Sequence, residues 1–290
     1  MTPSWYSRLA LAALGRLPLH AISRAAGRFA SLRLPGLLQR GLIRLFGAAV
    51  GVEWSEVRDP IASFPSLQAF FTRALAPGVR PRDEREDAFL APCDGSWGAC
   101  GRVERGTLLQ VKGQRYRLAE LLGSEATAAD MEGGPYATLY LSPRDYHRFH
   151  APCDVEVVSA RYLPGTLWPV NRLGLEGVDG LFAQNERICA WMRVAGTDGP
   201  PGLCLVAVGA TLVGSVRVAF DDLTTNVPGA AITTRSYQPP VAYARGAEWG
   251  RFEFGSTIVL LAAPSVVALD LAQPGASLRL GTRIGALLAP

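Results

Sequence analysis

The chain has 290 residues, 49% of them hydrophobic and 19% charged, with a formal net charge of +4. That is enough apolar material to bury one large core or two modest ones, and it excludes a disordered or low-complexity chain. Five cysteines (Cys93, Cys100, Cys153, Cys189, Cys204), odd in number and without CxxC spacing, argue against a disulfide framework or a cysteine-rich zinc module and fit a reducing compartment.

The positive charge belongs to the N-terminus. Residues 1–52 hold seven arginines and no acid, so the remainder carries 22 basic against 25 acidic residues, a net of −3. Residues 6–50 predict short amphipathic helices broken at Pro18 and Pro35. No apolar run there reaches the roughly 18 residues of a membrane span, and "LALAALG" meets Arg16 too soon for a signal-peptide core. A basic amphipathic segment of this kind can lie among the headgroups of an anionic membrane; the competing expectation is a helical cap with solvated arginines. His20, in this segment, is expected to be an ordinary interfacial side chain. Further on, "SLQAFFTRALAPGVRP" (66–81) predicts a helix ended by Pro77-Gly78.

From about residue 88 the texture changes to short apolar or alternating runs punctuated by Gly and Pro, among them "YATLYLS", "DVEVVSARYL", "RICAWMRV" and "STIVLLAAPSVVAL". Strands at this spacing predict a mainly antiparallel β core. The apolar run 203–216 holds Gly209 and Gly214 and predicts buried strands meeting at a bend. The expected fold class is α+β: a β-rich catalytic domain over 53–290 with an N-terminal amphipathic helical membrane-associating segment over 1–52.

Two of the three histidines, His147 and His150, stand together in "SPRDYHRFHAPCD" (142–154). With Cys153 or Asp154 they fall short of a zinc ligand set, and no metal is expected. The only lysine, Lys112, leaves pyridoxal phosphate a single attachment point, which argues against that cofactor. Asp94, in "APCDGSWG", has the Asp-Gly chemistry of a tight turn. Yet an Asp, a His and a Ser supply the parts for activating a hydroxyl, and Ser256 lies in "RFEFGSTIVLLAAP" (251–264). Its "FGSTI" lacks the second glycine of a hydrolase elbow. Another target is the carbonyl of Gly255, where glycine tolerates a strained backbone. Attack there, followed by elimination, would cut the chain and leave a pyruvoyl group on residue 256, an electron sink of the kind pyridoxal phosphate provides.

Several stretches together resemble the phosphatidylserine decarboxylases in their bacterial membrane-associated form: "FFTRALAPGVRP" (70–81), "APCDG" (91–95), "VKGQRYRLAELLG" (111–123), "SPRDYHRFHAPCD", "LFAQNERIC" (181–189), "VGATLVGSV" (208–216) and "GRFEFGSTIVLL" (250–261). The family's cleavage tetrapeptide is LGST or GGST; Phe254 replaces its first position here. The resemblance implies a self-cleavage triad of Asp94, His150 and Ser256, and a substrate-handling role in decarboxylation for His147. It implies a proenzyme cut at Gly255-Ser256 into a β chain (1–255) and an α chain (256–290). The covalent pyruvoyl from Ser256 would then take the amine of phosphatidylserine as a Schiff base, release CO2 and yield phosphatidylethanolamine. Expected partners are phosphatidylserine in an anionic membrane and, after cleavage, the β and α chains for each other. A homodimer is admitted but not required, and nucleic acid is not expected. The expected location is peripheral, on the cytoplasmic face of the cell membrane. The main alternative is a membrane-surface serine hydrolase or protease using Ser256, His150 and Asp94 without self-cleavage.

Overall fold

The computed structural model describes residues 5–109, 115–212 and 215–288; Lys112 and Gly214 lie outside the described residues. Helices α1 (Trp5–Leu14), α2 (Leu19–Ala30) and α3 (Gly36–Val50) open the chain. Pro18 and Pro35 stand immediately before α2 and α3, where a missing N–H breaks no helical bond. Ala30 and Ile43 are buried with Val52, Phe64, Leu67 and Phe70 in a small apolar cluster. Polar contacts also dock α2: Ser23 Oγ accepts the Leu212 N–H at 3.1 Å, and His20 Nε2 meets the Gly165 carbonyl at 2.8 Å. The opposite surface presents Leu37, Leu38 and Leu45 at 79%, 63% and 70% exposure, beside exposed Arg28, Arg33 and Arg44. The segment therefore caps the core and also offers a basic, apolar outer face. Among the described residues no helix is long and apolar enough to cross a membrane.

The helix expected over 66–81 is much shorter. Helix α4 covers only Leu67–Phe71, with Ser66 Oγ accepting the Ala69 N–H as its cap. Beyond Thr72 the backbone turns to residues 56–58 instead, with Arg58 N–H to Ala74 O and Ala76 N–H to Glu56 O. These longer-range bonds replace the helical ones that local propensity favoured.

The expected antiparallel β core is present. Its main sheet has eight strands in the spatial order Thr233–Tyr243, Val155–Leu163, Arg187–Val194, Leu203–Val208, Thr257–Ala262, Pro135–Tyr140, Gly95–Arg102 and Ser277–Leu278. Each neighbour pair is antiparallel. Period-two alternation sends Ile258 and Leu260 into one apolar cluster and Val259 and Leu261 into the other, so the strand Thr257–Ala262 is buried on both faces. Each such side chain contributes about 1.5–3 kcal/mol relative to exposure. The start of this central strand is therefore anchored between two apolar clusters. A smaller sheet, Val216–Val218, Glu248–Phe252 and Arg148–His150, lies beside it. It carries His150 and leads into Gly255 through residues 253–254.

Candidate active site

Ser256 stands just before the central strand, its carbonyl accepting the Leu141 N–H at 2.9 Å. Its side chain is fully buried, and Oγ has no hydrogen-bond partner. An orphaned hydroxyl in a protein interior costs about 1–3 kcal/mol, which marks a position kept for a reason other than stability. Gly255 does not have a positive φ, so the expectation of a strained backbone at this glycine is corrected. What glycine provides is room. A Cβ at 255 would lie 3.3 Å from His147 Cε1 and 3.4 Å from the Leu141 carbonyl oxygen, tighter than ordinary contact.

His147 is thus the histidine packed against Gly255. It is fully buried, and its Nε2 lies 3.0 Å from the Ser142 carbonyl. A carbonyl only accepts, so Nε2 carries the hydrogen and Nδ1 is left with a bare lone pair; Nδ1 is buried without a partner. Burial, reinforced by the positive charge of Arg73, pushes the ring's pKa down to about 3 and keeps it neutral. Its loop is held from both sides. Asp145 accepts the Ser142 N–H and hydroxyl, each at 2.7 Å, while buried Arg73 donates to the Arg144 and Asp145 carbonyls. Phe71 stacks on the imidazole at 4.0 Å and on Phe254 at 4.4 Å. Phe254, where the sequence departs from the expected tetrapeptide, therefore completes an aromatic stack beside Gly255.

His150 has other partners. Nδ1 donates to the Gly246 carbonyl at 2.9 Å, so Nε2 holds the lone pair, and that lone pair accepts from the Tyr146 hydroxyl at 3.1 Å. Burial pulls its pKa down, against the opposing charges of Glu248 and Asp94. The Asp94 carboxylate is gripped by Arg80 and by the Leu280 N–H. Among the described residues, no hydrogen bond joins Asp94 to His150 or His150 to Ser256. The structure brings His147 to Gly255-Ser256 and places His150 and Asp94 in neighbouring, separately bonded positions.

Two cavities flank the loop that carries these histidines. One, of about 400 Å³, is apolar and runs from Phe29 and Ala30 of α2 and Phe46 of α3 to Phe71, Phe254 and Gly255. Its polar lining residues are turned to the backbone: Asn171 accepts from the Leu173 and Gly174 N–H groups, and Thr211 donates to the Leu167 carbonyl. The other, of about 340 Å³, is polar and holds Glu56, Arg73, Arg80, Asp94, Tyr146 and Arg279. Sequence reasoning did not single out Arg80, Tyr146 or Phe71. All three lie within or beside motif segments, but nothing local shows their pairing: Tyr146 meets His150 four residues on, Arg80 joins Asp94 and Glu56 on either side of it, and Phe71 meets His147 and Phe254 far along the chain. Asn185, whose side chain bonds Trp168 and Gly209, and Glu186, whose carboxylate bonds Tyr162 and the Asn226 N–H, support loops instead.

The sequence has counterparts among known proteins. The family model described as phosphatidylserine decarboxylase matches residues 67–286. A phosphatidylserine decarboxylase proenzyme of Anaeromyxobacter sp. (strain K) is 43% identical over 282 residues, covering 96% of this chain and 98% of its own. Proenzymes of the same name from Myxococcus xanthus (strain DK1622) and Azotobacter vinelandii (strain DJ / ATCC BAA-1303) are 38% and 40% identical, covering 93% and 96% of this chain and 95% and 98% of their own. The chain belongs to the phosphatidylserine decarboxylase family and is a carboxy-lyase.

Proposed function

We propose that this decarboxylase is made as a proenzyme that cuts its own Gly255-Ser256 bond and works on phosphatidylserine with the pyruvoyl group so formed. The observation that carries this reading is the fully buried, unpartnered Ser256 hydroxyl beside Gly255. A hydrolase serving external substrates needs its serine at an open cleft; a buried hydroxyl has the preceding carbonyl as its neighbour. In the proposed step, Oγ bonds to the Gly255 carbonyl carbon, the C–N bond breaks, and the nitrogen takes the hydroxyl proton, giving an ester. Loss of the Ser256 Cα proton then expels Gly255 as a carboxylate and leaves dehydroalanine, which takes up water and releases ammonia. His150 is the proposed base: Nε2 holds its lone pair, and the Tyr146 hydroxyl has to yield that nitrogen to Ser256. Asp94 supports the charged imidazole through its field, without a hydrogen bond to it in the uncut chain.

The pyruvoyl group supplies the electron sink for loss of CO2. The chain's own residues do the rest. Neutral His147, with Nε2–H tied to Ser142 and Nδ1 bare, can receive a proton at Nδ1 next to residue 256, and can return only a proton it has first taken there. The apolar cavity admits the acyl-glycerol part of the lipid from the helical side, leaving the headgroup amine to meet residue 256. The test is the intact mass of the purified protein. Two fragments, the smaller covering 256–290 and lacking a free N-terminal amine, are expected; a single species of 31.0 kDa from active cells overturns the reading.

Residues 1–52 are proposed to hold the enzyme on the cytoplasmic face of an anionic membrane. Exposed leucines would enter the acyl boundary, and each nearby arginine would add about 1 kcal/mol, screened by salt. Replacing Leu37, Leu38 and Leu45 together by Gln, at positions too exposed to disturb the cap, should weaken binding to phosphatidylserine-containing vesicles by about tenfold or more in flotation assays. Unchanged flotation at both low and high salt would exclude this face as the anchor.

A further inference from the structure

The Asp94 carboxylate is the most heavily bonded acid near the site. Arg80 Nε reaches its two oxygens at 2.9 and 3.1 Å, and Nη2 adds a third bond at 2.7 Å. The same guanidinium spans to Glu56, with Nη1 to Oε1 at 2.9 Å and Nη2 to Oε2 at 2.6 Å. The Arg80 and Asp94 side chains are 9% and 6% exposed, so this ion pair is largely shielded from water. Burial works against the Arg80 charge, but its bonds to both carboxylates more than offset this and raise its pKa. A planar fork engaging two acids at once fixes an orientation that a single point charge cannot.

Asp94 passes that orientation on in two directions. Its Oδ1 accepts the Leu280 N–H at 2.8 Å, and Arg279 reaches Glu56 at 3.3 Å; both contacts tie residues 256–290 to the rest of the chain. On its other side, Gly95 has a φ of +145°, and a Cβ there would lie 2.1 Å from the Tyr140 carbonyl oxygen. The backbone next to Asp94 is thus pressed against Tyr140, which pairs across the sheet with Thr257, the neighbour of Ser256.

We infer that Arg80 is a positioning residue for self-cleavage: its fork sets the Asp94 carboxylate, and through Asp94 the C-terminal segment and the strand beside Ser256 are held in register. This rests on the self-cleavage reading above. Arg80 touches neither the reacting bond nor the substrate; its effect runs through Asp94.

The experiment follows the cutting of freshly synthesised full-length chain over time for the unaltered protein, Arg80→Gln, Arg80→Lys, Asp94→Asn and Arg80→Gln/Asp94→Asn, with thermal unfolding of each measured in parallel. Arg80→Gln should slow cutting by about tenfold or more, as small misplacements in a preorganised site do, and Arg80→Lys should restore part of the rate. The double variant should be no slower than Asp94→Asn within about twofold, because the two residues act as one unit. Cutting of Arg80→Gln at the unaltered rate, or single losses that multiply in the double variant, would overturn the inference. Should Arg80→Gln fail to fold, Arg80→Lys decides: a rate equal to the unaltered protein's overturns the inference, and a slower rate in a chain that melts normally supports it. If the unaltered chain itself stays whole, the self-cleavage reading fails rather than the role of Arg80.

Discussion

Ser256→Ala and His150→Ala should each leave the chain whole, while the unaltered protein should separate after residue 255. Ser256→Ala removes the hydroxyl proposed to attack the Gly255 carbonyl, so cutting should be abolished. The change is otherwise mild, since Oγ has no hydrogen bond to lose and its orphaned burial is relieved. Ser256→Ala should therefore melt at or slightly above the temperature of the uncut parent. That pairing, complete loss of processing with no loss of stability, separates a reactive serine from a packing one. His150→Ala acts differently. It removes the proposed base and strips the Gly246 carbonyl and the Tyr146 hydroxyl of their partner, so it should be both uncut and less stable by about 1–3 kcal/mol. Denaturing gels and intact mass on both variants check the result. Cutting of Ser256→Ala would overturn the chemistry; cutting of His150→Ala at a normal rate would move the base elsewhere, and His147 Nδ1, bare and adjacent to Gly255, is the nearest alternative acceptor.

How much of this could be read in advance differs between fold and site. The alternating runs 135–140, 155–163, 187–194, 203–208 and 257–262 announce strands because period-two packing against two apolar clusters needs such residues. The strand Thr233–Tyr243 was illegible. It contains Pro239 and Pro240, which local rules exclude from a central strand, and it is tolerated because it pairs on one side only, at the edge of the sheet. Gly95–Arg102 was hidden by its glycines, whose use is close approach to neighbouring strands. Helix α4 was overestimated because the bonds that end it come from residues 56–58. At the site, the reactive residue types were visible as motifs, but their pairing was not. Nothing local in "DYHRFH" says that His147 takes the place against Gly255 while His150 turns to Gly246, or that Arg80 occupies the Asp94 carboxylate. The two histidine positions and the Asp94–Leu280 bond depend on partners 76 to 186 positions apart, and even Arg80 is 14 positions from Asp94.

His147→Ala should give the opposite phenotype to His150→Ala: a chain that is cut but decarboxylates poorly. The prediction rests on the state of the ring. With its pKa pushed down to about 3 by burial and the nearby Arg73 charge, His147 is neutral across the working pH range. Its Nε2–H is committed to Ser142, so only Nδ1 is available to the reacting centre. Cutting, in the proposed scheme, draws on His150 and needs no proton from His147. The lipid's ammonium must lose a proton before its amine can react, and the bare Nδ1 can take that proton and return it once CO2 has left; a positioned group of this kind is worth about 10²–10⁴-fold in rate. Turnover of the cut variant should therefore fall by about a hundredfold or more, with little change in KM, because in the proposed scheme the lipid is held by the apolar cavity, whose lining does not include His147. Losing the ring also removes the stack on Phe71, so a modest drop in melting temperature should accompany the loss of activity. Fragment yield and turnover measured on one preparation decide the matter: an uncut His147→Ala would show that His147 takes part in processing, and a cut variant with undiminished turnover would remove it from the decarboxylation step.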